Sequence, residues 1–204
     1  MPRDGSKTRN KIMDQSLELI YQNGLSGTTI DLILERTGIT KGAFFYHFQS
    51  KSDLALNLMQ HFKETDMKIL ATAKAFAMNS SDDPKTQLLA FVQWHIDMFY
   101  KLNKADAGCL YASYVYEPDQ FGDELKVIVQ EAILNWRKEL KQMITLAMKK
   151  SGKDKIKDLH IESLADMFSV LIEGAFVTAK ALDDPKLTAR QIEHYKRYVE
   201  LLLN

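Results

Sequence analysis

Apolar residues recur every three to four positions along almost the whole chain, which is the spacing of one face of an α-helix. Glycine, proline and capping side chains separate these stretches. The pattern predicts long helices over residues 8–23, 51–78, 84–102, 123–150, 161–182 and 188–203, and a short aromatic segment over residues 109–116. We therefore expect an all-α protein of about nine helices, with an N-terminal three-helix domain over residues 1–50 and a C-terminal helical bundle over residues 51–204.

Two further short helices are predicted between residues 28 and 51. Ile30, Ile33 and Leu34 lie at helical spacing, Gly38 interrupts the pattern one turn later, and Thr40 begins the second short helix. A glycine suits the turn because it tolerates a positive φ. Two short helices joined in this way are typical of a helix-turn-helix, whose second helix fits a DNA major groove about 12 Å wide.

Hydrogen-bond donors and positive charge are concentrated on this second helix and beside it. Thr40 stands at its N-cap and Lys41 follows, while Tyr46 and His47 add two donors near its end. Lys51 lies in the first turn of the next helix, where a cation gains nothing from the helix macrodipole. We expect Lys51 to contact a DNA phosphate.

This stretch resembles the TetR family of bacterial transcriptional regulators. The family motif is a Gly, a Thr four residues before an apolar pair, a Gly-apolar turn, the run K-G-x-x-Y/F-Y-H-F and a Lys four residues past the His. The matching residues, in order, are Gly24, Thr29, Ile33, Gly38, Ile39, Lys41, Gly42, Phe45, Tyr46, His47, Phe48 and Lys51. The resemblance covers residues 8–59, and the residues we assign to DNA contact are Thr28, Thr29, Thr40, Lys41, Gly42, Ala43, Phe45, Tyr46, His47 and Lys51.

Three residues depart from the family pattern. Leu34 stands where such motifs usually carry Ala, at the closest approach of the two short helices. Ala43 stands where a Thr or Ser often contacts DNA, and Phe45 lacks the hydroxyl of the usual Tyr. The resemblance therefore assigns no operator sequence to this chain.

Composition and charge narrow the class of protein. The chain has 204 residues, 46% of them apolar and 26% charged, as in a soluble protein with a substantial core. Lys and Arg equal Asp and Glu at 27 each, so DNA affinity must come from a local surface. No run approaches the roughly 18 apolar residues of a transmembrane helix, and the opening residues lack the apolar region of a signal peptide. We therefore expect no membrane partner. Cys109 is the only cysteine, so we expect no internal disulfide and a cytoplasmic location, where thiols stay reduced.

Basic residues also crowd the N-terminal end of the first helix. They are Arg3, Lys7, Arg9 and Lys11. These side chains either touch the DNA backbone or belong to a solvated tail.

The helix over residues 161–182 is apolar on nearly every side, and its charged residues are confined to a narrow stripe. Such a helix is expected to be buried on two sides. With the final helix, which Thr188 would cap, we expect it to form half of an intermolecular four-helix bundle, as in TetR-like dimers. The residues assigned to this homodimer interface are Leu164, Phe168, Leu171, Gly174, Ala175, Thr178, Ile192, Tyr195 and Val199. The alternative is a helix at the centre of a monomeric bundle.

Aromatic and methionine side chains in the second domain are candidates for an effector site. They are Trp94, His95, Met98, Phe99, Cys109, Tyr111, Tyr114, Trp136, Phe168, Ile172 and Phe176. A cavity lined in this way favours a flat apolar or cationic small molecule. Each residue has an ordinary core position as its alternative, and His95 in particular lies on the apolar face of its helix. Cys109 is either a small apolar residue or a thiol that senses oxidants or electrophiles, as in some TetR-like regulators.

The resemblance also implies a mode of action. Two recognition helices related by a two-fold axis would bind a near-palindromic operator. In the family, a small effector in the bundle shifts the long connecting helix, here residues 51–78, and spreads the two DNA-binding heads. We expect a repressor that such an effector releases from its operator.

Enzymatic activity has little support in the sequence. The five His residues form no H-E-x-x-H pair, and there is no Cys/His zinc spacing, glycine-rich phosphate loop or nucleophile elbow. We expect no catalytic residue, cofactor or metal. A more serious alternative is a helix-turn-helix that serves as a protein-interaction module without binding DNA, suggested by the weak local charge and by Ala43 and Phe45.

Overall fold

The computed structural model describes residues 5–103, 108–117, 123–153 and 156–204. The regular structure in these ranges is entirely helical. The helices are α1 (Gly5–Gly27), α2 (Ile30–Thr37), α3 (Lys41–His47), α4 (Lys51–Ser80), α5 (Pro84–Tyr100), α6 (Leu110–Tyr116), α7 (Asp123–Lys150), α8 (Ile161–Leu182) and α9 (Leu187–Leu203). The all-α prediction and the expected number of helices are confirmed.

Local sequence signals account for most helix boundaries. Asp83 caps α5, where its carboxylate accepts a hydrogen bond from the Thr86 N–H at 3.0 Å and Pro84 occupies the first turn. At α9 the predicted cap is wrong. Thr188 lies inside the helix and is buried, and Lys186 stands at the N-cap without a side-chain capping bond.

The first helix continues past its predicted end at Asn23. Gly24 adopts φ 72° and ψ 172°, which breaks the helical geometry, and one more turn follows as far as Gly27. A side chain would be strained in this backbone conformation, so the glycine permits a sharp kink rather than a stop.

The chain forms two compact units. One comprises Met1–Glu64 with Cys109–Gln130, and the other comprises Thr65–Gly108 with Glu131–Asn204, as far as their residues are described. Helices α4 and α7 each contribute residues to both units. The predicted division into residues 1–50 and 51–204 stays a prediction.

The first unit is built around α1–α4, and α1 contacts both α2 and α6. Its most deeply buried apolar side chains are Ile12, Leu19, Ile20, Ile33, Phe44, Phe48, Leu54, Leu58 and Met59. Arg9 packs over the Phe48 ring, 5.3 Å from its centroid, and donates to the Asn57 side-chain oxygen at 2.6 Å. Burial of these apolar faces holds the short helices α2 and α3, which would not be stable alone.

The second unit has its own core, in which α9 packs against both α5 and α8. Its fully buried side chains include Leu88, Phe91, Val92, Leu140, Ala147, Phe168, Ile192 and Tyr195. The Tyr195 hydroxyl donates to the Leu164 carbonyl at 3.0 Å, and burial raises the pKa of Tyr195. None of the helices in the described ranges is long and apolar enough to cross a membrane.

Candidate functional site

The helix-turn-helix is formed by α2 and α3, and threonine side chains cap both helices. The hydroxyl oxygen of Thr29 accepts from the Leu32 N–H at 3.2 Å, and that of Thr40 accepts from the Ala43 N–H at 3.2 Å. Gly38 takes the left-handed conformation at the end of α2, with φ 68° and ψ 21°, so the chain turns within three residues. Both threonines and Gly38 are therefore used to shape the motif.

The two faces of α3 differ sharply. Phe44 is buried in the first unit, and the ring of the following cap residue Phe48 lies 5.9 Å away. On the other side, Tyr46 is 82% exposed. Lys41 is also exposed, at the N-terminal end of the helix. The remaining predicted contacts are exposed at Gly42 and Phe45 and half-buried at Ala43 and His47. Most of the predicted DNA-contact residues are thus exposed or half-buried.

Thr28 does not belong to this surface. Its side chain is buried, and its hydroxyl donates to the Gly24 carbonyl at 2.8 Å. The assignment of Thr28 to DNA contact is corrected for this reason: the residue stabilises the corner between α1 and α2. Thr29, the next residue, is exposed.

Lys51 has a partner within the protein. Its Nζ donates to the Leu25 carbonyl at 2.9 Å, and the residue is half-buried. Of the basic N-terminal residues, Lys7 and Lys11 are exposed, Arg9 is engaged with Asn57 and Phe48, and Arg3 lies outside the described residues.

A residue missed by sequence reasoning, Glu117, lies in the same unit as the helix-turn-helix. Its carboxylate accepts hydrogen bonds from the main-chain N–H groups of Leu25 and Ser26 at 3.0 and 2.8 Å. No sequence signal could have indicated this contact, because Glu117 is about 90 residues from Leu25 and Ser26 in the chain and none of the three is a motif residue.

The predicted effector residues divide between the two units. In the second unit, His95 is surrounded by the rings of Phe91, Trp94, Trp136 and Phe168, at centroid distances between 4.7 and 5.5 Å. We call these five side chains the His95 cluster. Phe99 and Phe176 form a neighbouring pair at 5.8 Å, and Met98 and Ile172 pack against the same core.

The electrostatics of the His95 cluster are unusual. The Nδ1–H of His95 donates to the Phe91 carbonyl at 2.9 Å, because a carbonyl can only accept. Its Nε2 is buried without a hydrogen-bond partner among the described residues. Burial lowers the pKa of His95 to about 4, although the bond to Phe91 opposes this effect, so the imidazole is neutral at pH 7. At the edge of the cluster, the Trp136 indole N–H donates to Asp66 at 2.9 Å.

Cys109, Tyr111 and Tyr114 belong to the other unit, that of the helix-turn-helix. Tyr111 is buried and packs edge-on against Phe62 at 4.9 Å. Cys109 is half-buried at the N-cap of α6 and makes no side-chain capping bond there.

Two surface cavities avoid the predicted effector residues altogether. One, of about 260 Å³, is lined by polar side chains of α1 and α4, including Arg9, Asn57 and His61. The other, of about 570 Å³, lies beside α7 and includes Leu134 and Lys141. The residues of the His95 cluster line neither of these two cavities.

Most residues assigned to the dimer interface are buried within the subunit. They are Leu164, Phe168, Ala175, Ile192, Tyr195 and Val199. This assignment is corrected because these side chains form the subunit's own core and cannot reach a partner. Leu171 is half-buried, and only Gly174 and Thr178 are exposed.

The opposite face of α8 is apolar and open. Val170 and Val177 are 66% and 63% exposed, and Ala181 continues their stripe one turn later. A Cβ placed on Gly174 would meet no atom within 4 Å. On α9, Tyr198 and Leu201 are also exposed.

Metal binding has no structural basis in the described part of the chain. Among those residues, no group of three or more His, Cys, Asp or Glu side chains could hold a metal ion.

Comparison with known proteins assigns both parts of the chain. Residues 12–58 match the family model described as bacterial regulatory proteins, tetR family, and residues 84–195 match the model of a tetracyclin repressor-like C-terminal domain. An uncharacterised HTH-type transcriptional regulator in the lacX 3' region of Lactococcus lactis subsp. lactis is 24% identical over 138 residues, 68% of each chain. The transcriptional regulator AcuR of Cereibacter sphaeroides is 23% identical over 177 residues, 87% of this chain and 78% of that one.

A solved structure gives the same result for the fold. The crystal structure of a TetR transcriptional regulator from Chloroflexus aurantiacus J-10-FL superposes with a TM-score of 0.76 at 23% identity, covering 97% of this chain and 96% of that one. Proteins of this kind typically form dimers and bind ligands. They are transcriptional regulators rather than enzymes, as expected from the sequence. The chain belongs to the TetR family and is a DNA-binding transcriptional regulator with a helix-turn-helix.

Proposed function

We propose that this regulator is a repressor that binds a near-palindromic operator as a homodimer and is released by a small apolar or aromatic effector. The observation that carries the proposal is the contrast between the faces of α3, where Phe44 is buried while Tyr46, on the opposite face, is exposed, and Lys41 is exposed at the N-terminal end of the helix. A recognition helix needs this division, because one face must hold the helix to the domain while the other meets base edges and phosphates. As a repressor of transcription it would act in the cytoplasm.

The exposed stripe of α8 supports the homodimer. Val170, Gly174, Val177 and Ala181 present an apolar surface with a small residue at its centre, and Tyr198 and Leu201 of α9 add to the exposed apolar area. Contiguous apolar surface of this kind marks an interaction site in a soluble protein. A two-fold interface would present two copies of α3, which is the arrangement that a palindromic site requires.

The His95 cluster is the proposed location of the effector. Four aromatic rings surround a neutral imidazole whose Nε2 has no hydrogen-bond partner in the described part of the chain. A flat molecule entering this core would meet apolar faces and one hydrogen-bond acceptor. A ligand that binds one conformation of the bundle better than the other shifts the equilibrium between them by that difference in affinity.

DNA binding can be tested by one series of titrations. A labelled duplex from the region upstream of the protein's own gene is titrated with the protein at several salt concentrations, with random DNA of equal length as the control. We expect tighter binding to the upstream duplex and a steep loss of affinity with salt. A helix-turn-helix that serves only protein contacts would bind neither duplex.

Effector chemistry is tested with defined probes. Naphthalene represents a neutral apolar effector and tetraphenylphosphonium a cationic one. We expect one of them to quench Trp fluorescence without DNA and to lower affinity for the upstream duplex. A probe that quenches fluorescence but tightens DNA binding would contradict the repressor-release model.

A further inference from the structure

Two main-chain amides at the corner between α1 and α2 follow a break in helical geometry. Helical geometry is interrupted at Gly24 and resumes at Leu25, so the N–H groups of Leu25 and Ser26 start a new helical turn. Such groups are usually capped by a Ser, Thr, Asp or Asn side chain at the preceding position. Gly24 has no side chain with which to do this.

The carboxylate of Glu117 supplies the missing acceptor from the C-terminal end of α6. Oε1 accepts from the Leu25 N–H at 3.0 Å, and Oε2 accepts from the Ser26 N–H at 2.8 Å and from the Ser26 hydroxyl. These bonds, chiefly the one from the Ser26 hydroxyl, hold the pKa of Glu117 below its usual range. Glu117 therefore acts as an N-cap residue that comes from a different helix.

Gly24 also provides the space for this contact. A Cβ at residue 24 would lie 2.5 Å from Oε1 of Glu117, and the positive φ of 72° independently disfavours any side chain there. The same glycine thus creates the kink, exposes the two amides and admits the carboxylate that satisfies them.

The ammonium group of Lys51 also contacts this corner. The Leu25 carbonyl accepts from Lys51 Nζ at 2.9 Å, and the charge of Lys51 contributes to the lowered pKa of Glu117. Thr29, the N-cap of α2, follows this corner directly. The conformation of residues 24–28 therefore sets the direction in which α2 starts, and α3 follows α2 after only three residues.

We propose that Glu117 is a positioning residue for DNA binding, which fixes the helix-turn-helix by capping the corner between α1 and α2. It acts through Leu25 and Ser26 and contacts no DNA. The inference rests on the operator binding proposed above, and it assigns Glu117 to the DNA-binding function although it lies outside the DNA-binding motif.

Glu117→Ala and a matched control, Glu124→Ala, test the proposal. Glu124 is an exposed carboxylate of α7 in the same unit, so both variants remove one negative charge. Loss of that charge alone favours DNA binding. We expect Glu117→Ala to bind the upstream duplex about tenfold more weakly, in line with the loss of hydrogen bonds to a charged group, while its affinity for random DNA does not fall. Glu124→Ala should bind both duplexes at least as tightly as the wild type.

Three further measurements separate positioning from a general structural effect. Amide hydrogen exchange at Leu25 and Ser26 should be at least about tenfold faster in Glu117→Ala than in Glu124→Ala, without DNA present. The salt dependence of binding to the upstream duplex should keep the wild-type slope, because no phosphate contact is removed. Ser26→Ala, which keeps both main-chain bonds, should weaken specific binding less than Glu117→Ala, and the two effects should be non-additive in the double variant.

The outcomes are distinct. Unchanged amide exchange or unchanged specific affinity in Glu117→Ala would overturn the inference, as would strictly additive effects with Ser26→Ala. If the wild type binds no DNA while exchange still rises at Leu25 and Ser26, the capping contact is supported and the proposed operator binding fails. If Glu117→Ala does not fold, Glu117→Gln retains one acceptor oxygen and is measured in the same way, and wild-type affinity and exchange in that variant would overturn the inference.

Discussion

The ammonium of Lys51 donates a hydrogen bond to the main-chain carbonyl of Leu25 at 2.9 Å, at the point where α4 begins. This contact explains why a cation is tolerated in a first helical turn, where the macrodipole disfavours it. An ammonium has three N–H donors, so two remain for a DNA phosphate. Lys51 can therefore hold the α1–α2 corner and touch DNA at the same time.

Replacement of Lys51 by Ala should weaken binding to the upstream duplex and to random DNA, because a phosphate contact is lost, and the loss should be larger on the upstream duplex, because the α1–α2 corner also loses the bond to Leu25. The slope of log affinity against log salt should fall by about one, since one phosphate contact is lost. Anisotropy titrations over a salt series measure both quantities, with Lys68→Ala, an exposed residue of α4, as the control. A wild-type slope in Lys51→Ala would show that Lys51 is bound only to Leu25.

Lys41→Ala should change sequence preference as well as affinity. Lys41 is the first residue of α3 and is exposed, so its ammonium is free to reach base edges in the major groove. Competition between the upstream duplex and its single-base variants measures the preference, with Lys51→Ala as the matched comparison. An equal loss on specific and random DNA would argue against base contact by Lys41.

Gly174→Leu should weaken the dimer without unfolding the subunit. The added side chain projects from the open face of α8, where a Cβ would meet no atom of another described element within 4 Å, but it would push a partner helix away. Sedimentation velocity at micromolar concentration should show more monomer than in the wild type. Gln142→Leu, on an exposed site of α7, adds similar apolar surface and should leave the dimer intact.

The stability of the protein should fall in mild acid because of His95. Burial lowers the pKa of His95 to about 4 from an ordinary value of 6.5, so between these values the unfolded chain binds more protons than the folded one. Stability is therefore fully present above pH 6.5 and is lost as the pH falls towards 4, by about 3 kcal/mol in total from this residue.

Replacement of His95 by Phe should remove this dependence. Urea unfolding at pH 7, 6, 5 and 4.5 measures the free energy of unfolding, with His160→Phe at an exposed position as the control. We expect a flatter profile in His95→Phe and the wild-type slope in His160→Phe. A wild-type slope in both variants would assign the acid sensitivity to other groups.

Local sequence signals predict the helices and the helix-turn-helix well. Asp83, Thr29, Thr40 and Gly38 each act within four residues of the helix end that they shape, so their roles can be read from spacing. Thr188 has the residue type of an N-cap but lies inside α9, because threonine also occurs within helices. At Gly24 the signal was correct in position, but the chain kinks there instead of ending the helix.

The candidate sites were harder to predict, because burial and distant contacts decide them. On α8 two apolar faces are present, and the sequence cannot show that the face of Phe168 packs inwards against Tyr195 while that of Val170 remains open. The role of Glu117 depends on residues about 90 positions away. Contacts of this kind follow from the assembled fold and not from any periodicity.

The two tryptophans of the chain, Trp94 and Trp136, both lie next to His95, with ring centroids 5.0 and 5.5 Å from the imidazole. The tryptophan emission of the folded protein therefore originates entirely at the His95 cluster. Hydration, protonation or ligand binding in that core should therefore change the intensity or the wavelength of the emission. The regulator thus carries an intrinsic fluorescent probe and needs no label.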